Sequence, residues 1–139
     1  MNLLARREHS RVELSRKLKD KEYTSDEIEA ALDRLRDEGL QSDARFCEGY
    51  VRYRAHGGFG PLRITQEMQQ KGISHDMIAR YLAPMKGSWP TLLYAAWEKK
   101  FSHTIPEDIK ARGKQYRFLL MRGFEARDIH DLFQRLGQE

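Results

Sequence analysis

Hydrophobic residues recur at helical spacing from one end of the chain to the other. Leu14 and Leu18 sit four apart, and Ile28, Ala31, Leu32 and Leu35 follow the i, i+3, i+4, i+7 template. Phe46 and Tyr50, then Ile64 and Met68, repeat the interval, and Ile129, Leu132, Phe133 and Leu136 restate it. Side chains at these intervals share one face of an α-helix, so each stretch predicts an amphipathic helix with an apolar stripe to bury. No segment alternates apolar and polar residues through a Val/Ile/Thr-rich run, as a half-buried strand would. The expected fold is all-α.

Helix starts are marked by residues that satisfy free backbone N–H groups. Ser10 followed by Glu13, and Thr24 followed by Glu27, fit the capping box, each cap contributing roughly 1 kcal/mol. Ser42-Asp43 and Ser74-His75-Asp76 offer a hydroxyl cap with an early carboxylate that suits the helix dipole, and Pro61, Pro90 and Pro106 suit first-turn positions. Gly39, Gly72, Gly87 and Gly123 mark ends and turns. Helices of about ten to fifteen residues joined by short turns follow.

The pattern also repeats at long range. A shift of fifty residues lays Leu14, Leu18, Tyr23, Ile28 and Leu32 over Ile64, Met68, Ile73, Ile78 and Leu82. A further shift of fifty-one brings Leu119, Phe124, Ile129 and Phe133 into four of those five places; Gln115 occupies the fifth, with Tyr116 beside it. The turn recurs as KEYTSDEI, KGISHDMI and RGFEARDI. We expect three tandem three-helix units over residues 1–38, 42–84 and 88–137, the first short at its beginning. Units this small cannot bury their apolar faces alone, so they should stack into an elongated, curved, solenoid-like body. A closed helical bundle is the alternative arrangement of the same pattern.

The stretch His56-Gly57-Gly58-Phe59-Gly60-Pro61-Leu62-Arg63-Ile64 invites a phosphate-loop reading, which its neighbours exclude. No Gly-Lys-Ser/Thr follows, no buried strand precedes, and Pro61 and Leu62 stand where a phosphate-binding lysine would be needed. It reads instead as a joint: Gly57 and Gly58 release one helix, Gly60 and Pro61 start the next, and Phe59 plugs the space between.

Composition narrows the chemistry further. The chain has 139 residues, 40% hydrophobic and 33% charged, with one cysteine and a net charge of +4. No apolar run approaches the length of a membrane span, so no membrane partner is expected, and the first ten residues lack the pattern of a secretory signal. Cys47 has no intramolecular partner; it reads as a small core residue, and a reducing cytoplasmic compartment is expected. Histidines 9, 56, 75, 103 and 130 form no His-x-x-x-His or Glu-x-x-His pair on one helical face, so neither a metal nor another cofactor is expected. The carboxylates interleave with bases, as in DRLRDEG, in the manner of a solvated helix face. No enzymatic constellation emerges.

A basic surplus remains, and it is uneven. Residues 1–40 hold 9 Lys and Arg against 10 Asp and Glu, leaving 16 of the 25 bases and 11 of the 21 acids to residues 41–139. Arg52, Arg54 and Arg63 flank the glycine stretch, Lys71 and Arg80 follow, and Lys110, Arg112, Lys114, Arg117 and Arg122 crowd the third unit. A curved array with bases in successive units can follow a filament or a phosphate backbone; contact with about five phosphates would give a slope near −4 in log affinity against log salt. The candidate surface is therefore Arg52, Arg54, Arg63, Lys71, Arg112, Lys114, Arg117 and Arg122.

Three stretches together carry a family resemblance: LLARREHSRVELSRKL, FCEGYVRYRAHGGFGPLRITQEMQQKGI and YRFLLMRGFEARDI. In this order, over nearly the whole chain, the sequence resembles the RecX family of recombination regulators. The resemblance implies tandem three-helix repeats, no catalysis, and binding to the RecA protein. Such proteins lodge in the helical groove of the RecA–single-stranded DNA filament, restraining its growth, strand exchange, ATP hydrolysis and LexA-type coprotease action, and so modulating DNA repair, recombination and the SOS response. Weak direct binding to single- or double-stranded DNA, and a monomeric state, are further expectations. A helix-turn-helix-like DNA-binding module acting without RecA is the alternative; its candidate recognition helices, SDEIEAALDRLRDEG and SHDMIARYLAPMK, are too acidic or too apolar for base readout.

Overall fold

Hydroxyls and carboxylates start the helices at the places the sequence marks. In the computed structural model, which describes residues 7–137, Ser10 opens α1 (Arg11–Asp20) and Thr24 opens α2 (Ser25–Asp37), each with a complete capping box. Ser42 caps α3 (Asp43–His56), Gly60 precedes α4 (Pro61–Gln70), and Ser74 caps α5 (His75–Leu82). A short 3-10 turn, Ala83–Met85, leads to α6 (Trp89–Phe101), followed by α7 (Ile109–Met121) and α8 (Ala126–Gly137). No strand occurs among the described residues.

Proline placement departs from expectation once. Pro61 is the first residue of α4 and Pro90 lies in the first turn of α6, but Pro106 stands outside α7. That helix begins only after Asp108, whose Oδ1 accepts the Ala111 N–H at 2.7 Å. A carboxylate cap both satisfies an orphan donor and suits the dipole, so it outcompetes a proline two residues earlier.

The helices fall into three successive groups: α1–α2, α3–α5 and α6–α8. The opening helix expected for the first unit falls on residues 1–6, outside the described residues. Most of the long-range register is visible in burial. Ile64, Met68, Ile73 and Ile78 are buried in the second group, and Leu119, Phe124, Ile129 and Phe133 in the third. Leu14, Ile28 and Leu32 hold the same places in the first. Tyr23 breaks the pattern: it is 50% exposed where Ile73 and Phe124 are buried.

Two apolar clusters result. Leu14, Ile28 and Leu32 form a small one, with Leu18 and Leu35 partly buried against it. The second and third groups share the other, which runs from Phe46 through Ile64, Met68, Leu93 and Trp97 to Ile129 and Leu136. Two separate clusters, one confined to the first group and one running through the second and third, suit a tandem array rather than a bundle closed around a single core.

Candidate functional site

The glycine stretch meets the turn between α7 and α8 backbone to backbone. Gly60 N–H donates to the Arg122 carbonyl at 2.7 Å, and Leu62 N–H to the Gly123 carbonyl at 2.9 Å. A Cβ on Gly60 would overlap the Gly123 main chain, so this joint accepts only glycine. The stretch thus connects α3 to α4, as expected, and also couples the second unit to the third.

Phe59 fills the joint and gathers three guanidiniums. Arg54, Arg122 and Arg63 lie 3.8, 4.5 and 4.6 Å from its ring centroid, geometry in which each contact contributes about 0.5–2 kcal/mol. One carboxylate serves two of them. Glu67 accepts two bonds from Arg54, at 2.9 and 2.7 Å, and one from Arg63 at 3.2 Å, while the Tyr50 hydroxyl donates to it at 2.8 Å. Burial opposes its ionisation, but the bonds from Arg54, Tyr50 and Arg63 outweigh that and hold its pKa below the ordinary value. Burial and the adjacent Glu67 push Tyr50 up to about 12. Arg63 also donates to the Met121 carbonyl at 3.1 Å, tying α4 to the end of α7.

Lys71 belongs to a different joint. Its ammonium donates to Glu13 at 2.9 Å, and the same carboxylate takes Arg7 at 2.8 Å and the Ser10 N–H at 3.1 Å. Burial again opposes ionisation, yet these donors hold Glu13 down at about 2. Around this hub the Ser10 hydroxyl donates to the Lys71 carbonyl at 2.8 Å and Arg16 to the Gln70 carbonyl at 2.6 Å. Asp43, at the start of α3, accepts the Arg11 N–H at 2.8 Å and a bond from Gln41 at 2.9 Å. The first two helices are thereby fastened to the second unit through polar contacts.

The remaining predicted bases face outward. Arg52 is exposed and pairs only with Glu48, one turn away at 3.4 Å. Along α7, whose sequence contains no acid, Lys110, Arg112, Lys114 and Arg117 are all exposed and have no acidic partner among the described residues. Arg112 rests its head 4.9 Å from the Phe133 ring centroid. The eight predicted residues thus divide: Arg54, Arg63 and Arg122 meet at Phe59, Lys71 is held by Glu13, and Arg52, Arg112, Lys114 and Arg117 present charge to solvent. Beside the joint, exposed Leu62 and Met121 flank Arg63 at a shallow cavity of about 370 Å³.

The capping box marks Glu13 but does not show that it also holds Lys71, and nothing local shows that Glu67 gathers Arg54 and Tyr50 as well as Arg63. Sequence reasoning passed over Lys99 and Lys100, which look like ordinary cations in the last turn of α6. Cys47 is fully buried, and burial pushes its thiol up to about 11, as suits a core residue rather than a nucleophile. Among the described residues, no three His, Cys, Asp or Glu side chains gather to hold a metal ion, and no helix is long and apolar enough to cross a membrane.

Comparison with known proteins covers the same three groups of helices. Residues 1–35, 42–82 and 91–133 match the family models described as the first, second and third three-helix domains of RecX. The chain is 47% identical over 136 residues to the "Regulatory protein RecX" of Pseudomonas tolaasii, covering 98% of this chain and 85% of that protein. It is 46% identical over 124 residues to the protein of that name from Pseudomonas putida (strain W619), covering 89% and 80% of the two chains. The crystal structure of RecX from Lactobacillus salivarius superposes with a TM-score of 0.75 at 23% identity, over 98% of this chain and 90% of that one, and so shares the fold.

Proposed function

The chain belongs to the RecX family of regulatory proteins, and from that premise we propose that it down-regulates RecA by binding the RecA–single-stranded DNA filament in its helical groove. There it spans neighbouring protomers and inhibits strand exchange, ATP hydrolysis and coprotease action without catalysing a reaction of its own. The observation that carries the reading is α7: thirteen residues with four exposed cations, no acid, and no acidic partner among the described residues. Like charges held this close raise the energy of the free protein, and an acidic filament surface or a phosphate backbone relieves it. Tandem units suit a helical track, because each presents its surface at a regular interval.

Charge reversal at Arg112, Lys114 and Arg117 together tests the assignment. It should weaken inhibition of RecA-catalysed ATP hydrolysis on single-stranded DNA while leaving the helical circular dichroism intact. Unchanged inhibition would sink it.

A further inference from the structure

A second basic site lies on the other side of the joint, where α6 ends. Gly57 and Gly58, Ala96, Lys99, Lys100, Phe118 and Arg122 enclose a cavity of about 210 Å³ whose walls are mostly carbon. Three cations converge on it. Lys100 Nζ stands 5.2 Å from the Phe118 ring centroid and the Arg122 guanidinium 5.0 Å from the same ring. Lys99 is exposed at the rim. None of the three has an acidic partner among the described residues, in contrast to Arg54 and Arg63, which share Glu67. Two adjacent glycines form one wall, and a Cβ built on Gly58 would stand 3.7 Å from both Ala96 Cβ and Arg122 Nη1, so the wall faces the cavity's own lining.

We propose that this cavity receives a carboxylate side chain, Glu or Asp, of the partner protein. The proposal rests on the reading that the chain binds a filament of another protein, and it specifies where one acidic side chain of that filament is held. Three observations favour a protein carboxylate over a nucleic-acid phosphate. The aromatic rings here are already engaged: Lys100 and Arg122 lie against Phe118, which also meets Phe101 edge-on at 5.4 Å, and three guanidiniums gather on Phe59. Single-strand sites combine phosphate contacts with such stacking platforms. The carbon walls suit the methylenes of a Glu stem, with the ammonium and guanidinium groups at its head. The cavity is also about the size of one or two side chains, whereas a nucleic-acid backbone needs a groove that continues past each phosphate.

The test uses the full isotope-labelled chain and the probe acetyl-Ala-Glu-Ala-amide, with acetyl-Ala-Gln-Ala-amide and an oligothymidylate as comparisons. The glutamate peptide should shift the amide resonances of Gly57, Gly58 and Ala96 saturably, and the glutamine peptide should not. Lys99→Gln with Lys100→Gln, both at exposed positions, should weaken that response about tenfold without altering helicity. Equal shifts with both peptides, no shift with either, or shifts with oligothymidylate in place of the glutamate peptide would each overturn the proposal. RecA ATPase assays separate it from the reading beneath it. If the unmodified chain does not inhibit, the filament reading fails while the peptide result stands; if it inhibits and the double variant inhibits equally, the carboxylate site is not used and the proposal fails.

Discussion

Between the first and second units run directed polar contacts: Glu13 with Lys71, Ser10 with the Lys71 carbonyl, Arg16 with the Gln70 carbonyl, Asp43 with the Arg11 N–H. Between the second and third, two turns touch through Gly60 and Gly123, and behind them one apolar cluster runs through both units. The first arrangement fixes orientation, with Val12 packed on Gly72, but leaves the apolar clusters on its two sides separate; the second joins two repeats through one cluster. In a tandem array stability is a sum over units and the interfaces between them, so the end with the small core and the polar joint should open first.

The largest difference should come from truncating the cores. Phe124→Ala, in the shared cluster, should cost about 3–5 kcal/mol, and Leu32→Ala, in the small one, about 2–3 kcal/mol. Both tryptophans, Trp89 and Trp97, lie in the shared cluster, so their fluorescence reports it alone while circular dichroism reports every helix. In urea, Leu32→Ala should leave the fluorescence midpoint in place and lower the midpoint of part of the dichroic change. Coincident shifts in both signals would mean that the chain unfolds as one unit. Gly60→Ala should follow, at about 2 kcal/mol or more, because the obstructing atoms are main chain and cannot swing aside. Amide exchange should rise on both sides of the second joint and not in α1.

Glu13→Gln should have a smaller effect, about 1–3 kcal/mol, confined to α1 and α2. The pH dependence has a definite sign. With Glu13 held at about 2 against an ordinary 4.5, its stabilisation is complete above 4.5 and is lost as pH falls towards 2. His9 acts in the same direction: burial, Arg7 and Lys17 lower its pKa from 6.5, so the joint favours the neutral ring and weakens as pH drops below 6.5. Acid should therefore raise amide exchange in α1 and α2 before α3 to α8, and Glu13→Gln should remove the part of that response below pH 4.5. Exchange rising equally across all helices would contradict the polar-joint account.

The sequence disclosed periodic and local features well and long-range polar ones poorly. Capping at Ser10, Thr24, Ser42 and Ser74 depends on residues within one turn, and all four hydroxyls accept the bonds their spacing suggests. Four of the five repeat places are helical positions turned towards a core, and the fifth, held by Ile73 and Phe124, is a buried plug in the turn between two helices. Tyr23 shows the limit of that register, since the same spacing leaves it half exposed where Ile73 and Phe124 are buried. The basic surface was legible as composition but not as geometry. Arg63 meets Glu67 one turn away on its own helix, but Arg54 meets the same carboxylate, and Lys71 meets Glu13, only after turns bring separate segments together. Net charge could not indicate which cations already had partners.

One polar residue in the third unit bears on how the chain folds. Gln115 occupies the repeat position held by Ile64 and Leu14, and it is buried at 5% exposure. It accepts the Trp97 indole N–H at 2.8 Å and donates to the Thr104 carbonyl at 2.9 Å. Three look-alike apolar stripes can pair with the wrong neighbour while the chain is still collapsing. A glutamine in one of them penalises the exchange, because its amide finds both partners only against α6 and the loop that follows it. Packed on any other unit it would lie stranded without hydrogen bonds, at a cost of about 1–3 kcal/mol. Gln115 thus acts as a key that distinguishes the third repeat from its copies and holds the chain to a single order of assembly.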